Sequence, residues 1–422
     1  MIWVQISKKI FCFLLLLLVS CIPLRDMSSL NMASVYRVSE QNYHPEFIAY
    51  NESDSTVRLF IKILPDEFLF ARQSDDRFRS VIQIHSEIIG SYEIAKIIDS
   101  TSVDFSFNFS DKLETKVLSM SIPLKITGTF LIHCYVTDKN KGTYEDYFIP
   151  LDRISKPSRQ DFLVTDLNNN PLFRNYLSPF DTINILYNDN SITNFWCKYY
   201  LRNFPLAAPP FSFDLHNEFD YQADSIFNLE RSQLSGLFLN KEGFYHLQTG
   251  TIGKTGLTLF RYYNGFPDIT SPRQMIDALR YLTNKKEFEE MKTSQFPKSM
   301  VDNFWLSHGG NEEKTRNLIK KYYGRVREAN KYFSSYTEGW RTDRGMIYIL
   351  FGSPGTVNKS AETESWTFGT PNSTLALNFL FIKVINPFSD NDFSLSRSPT
   401  YESSWYRAVE IWRQGRAYNS FN

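Results

Sequence analysis

Between residues 34 and 152 the chain repeats a two-residue rhythm. Val57, Leu59, Ile61 and Ile63 alternate with Arg58, Phe60 and Lys62, and Val103, Phe105, Phe107 and Phe109 alternate with Asp104, Ser106 and Asn108. Successive side chains of an extended strand point to opposite faces, so this rhythm buries one face and wets the other. Roughly seven such runs, separated by polar turns, predict an antiparallel β-sandwich of immunoglobulin type over 34–152. No Cys-Trp-Cys pattern accompanies them, so the prediction rests on strand rhythm alone. Aromatic residues make up 16% of the chain, with 36 Phe and 24 Tyr, and suit such half-buried pleated surfaces.

The segment RISKPSRQ, residues 153–160, is polar, contains a proline and lacks periodicity, which marks a linker. Strand-like runs resume over 161–266 in TINILYN, NFWCKYYLRNF, GLFLN, GFYHLQTG and TGLTLFRYY, and predict a second, less regular β-sandwich. FPLAAPPFSF reads as an extended loop or edge, because Pro205, Pro209 and Pro210 cannot donate to a ladder. Cys134 shares a strand face with Phe130, Ile132 and Val136, and Cys197 with Phe195 and Tyr199. Both read as small buried core residues; a disulfide would have to join the two sandwiches.

The period changes at Ser271-Pro272, an N-cap followed by a first-turn proline, with Met275, Ile276, Leu279 and Leu282 on one face. A longer helix is expected after Gly309-Gly310-Asn311, with a stripe of Leu318, Ile319, Tyr322, Val326, Ala329 and Phe333, and with Gly339 placed to end it. Next come a turn at Thr342 to Gly345, a central strand at Met346 to Phe351, and a stop at Gly352-Ser353-Pro354-Gly355. SWTF and LNFLFIKVI add two strands, and SSWYRAVEIWRQG closes with a helix whose Trp405, Ala408, Val409 and Trp412 share a face. Residues 271–422 therefore read as an α+β unit, helices on an antiparallel sheet. The glycines before TVNKS invite comparison with a phosphate-binding loop, but Ser353 and Asn358 stand where that loop needs glycine.

The first residues, MIWVQISKKIFCFLLLLLVSC, join the basic Lys8 and Lys9 to an apolar run from Ile10 to Val19. That is a secretory signal peptide over 1–20, its apolar part too short for a permanent span. Leu18-Val19-Ser20-Cys21 resembles the bacterial lipobox, which implies an acylated Cys21 as the mature N-terminus and a lipidated linker over 21–33. Each buried methylene of such acyl chains contributes about 0.8 kcal/mol to anchoring. By resemblance to Gram-negative lipoproteins, Ile22 favours the outer membrane. Only Asp26 stands where surface-exposed lipoproteins of the Bacteroidota carry an acidic run, so cell surface and periplasmic face both stay open.

RVREANKYF followed by GWRTDRGMIYILFGSP resembles the GWxTD domain of Bacteroidota and related bacteria. The likeness is carried by Arg325-Val326, Ala329-Asn330, Gly339, Trp340, Arg341, Thr342, Asp343, Arg344, Gly345, Gly352 and Pro354. Ser353 and Gly355 flank Pro354 where the family often has acidic residues. The family is named for its signature, so the resemblance implies architecture and compartment more than chemistry. Asp-Ser/Thr sequons similar to those for O-glycosylation in the Bacteroidota make Ser55, Ser100, Thr182 and Ser225 candidate acceptors.

Removing the signal peptide takes two lysines from 46 Lys+Arg and leaves 44 against 46 Asp+Glu, a balance that suggests no nucleic-acid partner. There is no His-Glu-x-x-His, zinc-spaced cysteine pair or Gly-x-Ser-x-Gly elbow, and the histidines at 44, 85, 133, 216, 246 and 308 are scattered. Asp343 with Arg344 is the best candidate for functional charge, but reads first as a turn carboxylate and its partner; Trp340 reads as a wedge. The expectation is a lipoprotein without enzymatic activity, cofactor or metal, held to the outer membrane by acyl chains. It would act as a scaffold or accessory subunit of an outer-membrane protein complex, in protein assembly or secretion. Alternatives are a surface glycan-binding lipoprotein with an exposed platform drawn from Trp196, Trp340, Trp366, Trp405 and Trp412, and an enzyme with an unfamiliar site at Asp343 and Arg344.

Overall fold

The computed structural model describes residues 27–37, 40–212, 219–251, 253–370, 373 and 376–418; the signal peptide and Cys21 lie outside them. The first β unit comprises β1 (Glu46–Ser53), β2 (Thr56–Ile63), β3 (Ala71–Arg72), β4 (Phe78–Ile89), β5 (Ile97–Asn108), β6 (Lys116–Pro123), β7 (Thr129–Asp138) and β8 (Thr143–Asp152). One antiparallel sheet has the order β1-β2-β6 and the other β3-β4-β7-β8, with β5 also paired to β4. Val57, Leu59, Ile61 and Ile63 of β2 meet Ile82, Ile84 and Ile88 of β4 and Ile132, Cys134 and Val136 of β7 in one core. Period-two burial thus builds both faces of that core. Phe109 departs from its expected place, lying just past β5 in a 3-10 turn and 58% exposed.

The second β unit contains β9 (Phe162–Thr165), β10 (Thr182–Tyr187), β11 (Asn194–Tyr200), β12 (Ser225–Glu230), β13 (Leu237–Phe238), β14 (Gly243–Gln248) and β15 (Leu257–Arg261). Its sheets run β13-β10-β9 and β12-β11-β14-β15. The stretch 153–160 is bonded to the first unit at both ends, through Arg153 and Gln160, and Asn51, Asp161 and Asn188 tie the two units together beside it. Arg153 donates to the Asn51 side chain (3.2 Å) and the Asp54 carbonyl (2.7 Å), Asn51 donates to Asp161 (2.9 Å), and Asn188 donates to the Asn51 carbonyl (2.7 Å). Cys134 and Cys197 are buried free thiols in different units, each pushed up to about 12 by burial.

The C-terminal unit contains α1 (Pro272–Ala278), α2 (Lys285–Thr293), α3 (Pro297–Gly309), α4 (Glu312–Phe333), α5 (Asp343–Phe351), β16 (Thr356–Lys359), β17 (Thr363–Phe368), β18 (Leu377–Lys383), β19 (Phe393–Leu395) and α6 (Glu402–Arg413). The strands form one antiparallel sheet in chain order. Ser271 caps α1 in a capping box with Gln274, and Asn311 caps α4 by accepting from the Lys314 N–H at 2.9 Å. The expected stripe of α4 packs against Trp305, Trp366 and Trp412 in the main core.

Three expectations for the C-terminal unit fail: the turn at Thr342 to Gly345, the strand after it and the helix end at Gly339. Met346 to Phe351 is not a central strand but most of helix α5, with Thr342 as its N-cap accepting from the Gly345 N–H at 3.1 Å. Every residue from Asp343 to Phe351 is buried, so the apolar run shows neither period, and a run buried on all sides reads alike as strand or helix. Gly339 does not end α4, which stops at Phe333; instead it opens a 3-10 turn, Gly339–Arg341. Gly352 does stop α5, at φ +86°, a conformation that favours glycine.

Residues 27–37, which span the end of the expected linker, pack mainly on the C-terminal unit. Met32, Ala33 and Tyr36 lie in its core, and Met27 is buried beside Ile89 and Leu131 of the first β unit. A cluster of Tyr200, Phe244, Phe260, Tyr262 and Phe388 joins the second β unit to the C-terminal one. FPLAAPPFSF forms neither helix nor strand as far as it is described, and it turns at Pro209 to Ser212, where the Ser212 N–H donates to the Pro209 carbonyl at 3.0 Å. It crosses the C-terminal unit, where the Ala207 N–H donates to the Arg341 carbonyl (2.9 Å) and the Ser398 N–H to the Pro210 carbonyl (3.0 Å).

Candidate functional site

The signature residues form a joint. The turn at Gly339 lies so close to α4 that a Cβ there would meet the Ala329 carbonyl oxygen at 2.0 Å. A Cβ at Gly345 would meet the Gly339 carbonyl oxygen at 1.9 Å, so α5 can seat on the turn only with glycine at both places. Ser334 accepts from the Gly339 N–H (2.8 Å), Asn330 accepts from the Trp340 N–H (3.1 Å), and the Trp340 carbonyl accepts from Tyr281 (3.0 Å). The Trp340 ring is buried and stands edge-on to Tyr281, so it is a wedge between helices.

The two signature charges point into this joint. Asp343 forms an ion pair with Arg397 at 2.6 Å and accepts from the Leu395 N–H at 2.7 Å, which fixes β19 to the first turn of α5. Arg344 pairs with Glu364 of β17 at 3.2 Å, with both side chains almost wholly buried. Its second guanidinium nitrogen donates to the Asn391 carbonyl (3.0 Å) and side chain, and its plane lies 4.1 Å from the Phe393 ring centroid. Glu364 also accepts from Tyr36 (2.5 Å) and the Trp366 indole (2.7 Å), while Lys359 lies at 3.6 Å. Burial alone would raise the Glu364 carboxyl, but the charges of Lys359 and Arg344 and the two donated hydrogen bonds hold it down to about 2. Tyr36 is pushed well above its usual value by burial and by that carboxylate. Asp343 and Arg344 therefore come together on one turn but serve different partners, and Lys359 is turned to Glu364 and Tyr36 rather than to a phosphate.

Beside the joint runs a groove of about 780 Å³, walled by α4 and by Tyr36, Arg37, Gly352 and Ser353. Its cations Arg37, Lys320, Lys321, Arg325 and Arg327 outnumber Glu40, Asp268 and Glu328; Arg37 pairs with Glu40 at 2.9 Å and Arg327 with Asp268 at 3.8 Å, so the excess rests on Lys320, Lys321 and Arg325. Part of its lining is structural. Arg325 donates to the Ile349 (3.0 Å), Leu350 (3.2 Å) and Tyr418 (2.8 Å) carbonyls and so caps α5; Glu328 accepts from Tyr348 (2.9 Å). Pro354 contributes its carbonyl to Arg37 at 3.1 Å, so the stop after α5 holds the N-terminal segment. Sequence reasoning missed Tyr36, Arg37, Glu364 and Arg397, whose partners lie tens to hundreds of residues away.

The remaining candidates are dispersed. Ser55, Ser100 and Ser225 are exposed and Thr182 is half-buried in β10, spread over both β units. His44, His85 and His133 pair with Glu67, Ser102 and Asp146, His308 bonds the Phe304 carbonyl, and His216 lies outside the described residues. His246 is buried between Thr258 and the Lys254 carbonyl, and burial lowers it to about 4. Among the described residues no three His, Cys, Asp or Glu side chains converge as a metal requires. Trp340, Trp366, Trp405 and Trp412 are core residues, which leaves Trp196, half-buried, of the five proposed for a glycan platform.

Two predictions follow the geometry of the joint. Gly339→Ala and Gly345→Ala each strongly destabilise the fold, whereas Gly324→Ala, on the open face of α4, stabilises it by about 0.5–1 kcal/mol; denaturant titration separates them. Glu364→Gln leaves Arg344 buried without its ion partner and costs about 3–5 kcal/mol at neutral pH. Because the folded carboxyl sits near 2 against the usual 4.5, its contribution is complete above about 4.5 and is lost as pH falls toward 2. Stability measured against pH should show wild type and Glu364→Gln converging over that window.

No curated protein matches the chain. Residues 243–414, which begin at β14 and take in the whole joint, match the family model of the GWxTD domain, and a GWxTD domain is what this part of the chain contains.

Proposed function

We propose that the mature chain is an outer-membrane lipoprotein of the Bacteroidota type that acts as a non-catalytic scaffold or accessory subunit of an outer-membrane protein complex, in protein assembly or secretion. The observation that carries this reading is the docking of the N-terminal segment. Residues 27–37 are built into the core of the GWxTD domain through Met32, Ala33 and Tyr36, and their backbone adds to it where the Met32 N–H donates to the Val357 carbonyl at 2.7 Å. An acyl chain on Cys21 would then hold the folded body itself, not a tail. From Cys21 to Met27 there are six residue steps, and a chain reaches at most about 3.6 Å per residue, so the anchor lies within about 22 Å of the fold.

The rest of the molecule supports a binding role over catalysis. The signature charges are engaged within the fold, and the β units, each with two antiparallel sheets around one core, read as immunoglobulin-like sandwiches that present wide surfaces to partners. The cationic groove beside the joint offers a docking place for an acidic segment of such a partner. Mass spectrometry of the mature protein is expected to show cleavage before Cys21 and acyl chains upon it, and Cys21→Ser to release the chain from the membrane. Copurification from native membranes in mild detergent should return a stoichiometric membrane protein. An unacylated N-terminus contradicts the anchor, and a monodisperse monomer without a partner contradicts the scaffold.

A further inference from the structure

The chain enters the described fold at one point on its surface, and exposed isoleucines border that point. The Met27 N–H donates to the Tyr92 carbonyl at 2.8 Å, and Met27 is buried with Ile89, Ala95 and Leu131. Tyr92 leads into a loop where Ile94 is 55% exposed, and Ile97, at the start of β5, is 51% exposed. Close by is the outer face of the GWxTD sheet. Leu380 and Ile382 point outward from β18, opposite the buried Phe379 and Phe381, and Ile385 just beyond the strand is 92% exposed. Hydrogen bonds place the two sets side by side. The Ala361 N–H donates to Glu93 (3.0 Å), and the Lys383 N–H donates to the Glu362 carbonyl (2.8 Å), so the β16-β17 turn touches the loop on one side and the end of β18 on the other.

Isolated exposed isoleucines are ordinary on a soluble surface, but several gathered at one place mark a contact surface. We propose that the face formed by Ile94, Ile97, Leu380, Ile382 and Ile385 rests on the phospholipid bilayer, its side chains reaching the boundary between headgroups and acyl chains. The position of the entering chain decides for lipid over a protein partner. Met27 borders this face at the Tyr92 loop, and Cys21 lies within about 22 Å of Met27, so acyl chains on Cys21 bring a membrane to this side of the molecule. Lys96 stands exposed beside Ile97, placed to reach headgroup phosphates; Glu93 and Glu362, also exposed between the two sets, belong at the headgroup level, where Glu93 accepts from the Ala361 N–H. The inference rests on the lipoprotein reading above.

The test uses the acylated full-length mature chain carrying Ile94→Cys or Ile385→Cys. Cys134 and Cys197 are buried, so the introduced thiol takes an environment-sensitive fluorophore selectively. In protein-free vesicles of phosphatidylethanolamine and phosphatidylglycerol, both probes should shift to the blue and be quenched by lipids brominated along the acyl chain, relative to the same variants made unacylated with Cys21→Ser. An acylated chain whose probes stay as wet as in the unacylated form overturns this surface alone. Probes that become dry only in native membranes with a copurifying protein assign the face to that protein and also overturn it. An unmodified Cys21 in the mass spectrum overturns the anchor and this surface together.

Discussion

The buried ion pair between Arg344 and Glu364 is the constraint around which the C-terminal unit is arranged. Four pieces of chain meet there: α5 through Arg344, the sheet through Glu364, the loop before β19 through Asn391, and the N-terminal segment through Tyr36. A buried pair of this kind adds little compared with well-packed apolar side chains, yet losing one partner is costly because the other charge stays behind without water. The consequence is register. Each piece must arrive in one position for the carboxylate and the guanidinium to find their partners, and Asp343, one residue away, repeats the device with Arg397.

Packing around the pair explains the signature in physical terms. Gly339 and Gly345 are small because backbone carbonyls occupy the space a Cβ would take, Thr342 caps α5, and Trp340 fills the angle between helices. These residues specify how a helix leaves α4 and enters the sheet. They bring no open acid, base or nucleophile to a cavity, which is why the proposed role rests on the anchor and the surfaces instead.

Legibility followed locality. The β2 alternation, the capping residues Ser271 and Asn311, the stripe of α4 and the face of α6 are signals within a few residues of one another, and each matches the fold. Met346 to Phe351 reads as a strand from its sequence because total burial erases its period, although Thr342 ahead of it carries the usual chemistry of a helix start. The N-terminal docking had no local signal at all. Met32, Ala33 and Tyr36 share one face of a single 3-10 turn, too short to give a periodic signal, and the partner of Tyr36 is 328 residues away, so only the folded chain reveals that residues divided between the expected linker and the first sandwich belong to the C-terminal core.

The N-terminal segment and the signature helix form one cooperative unit through Glu364. A double-mutant cycle with Tyr36→Phe and Arg344→Met, followed by denaturant unfolding, measures this, because the two side chains bond the same Glu364 carboxylate and also face each other. A coupling of at least about 1 kcal/mol between the two substitutions is expected. Strictly additive losses, or unfolding of the C-terminal unit that ignores Tyr36, would contradict it.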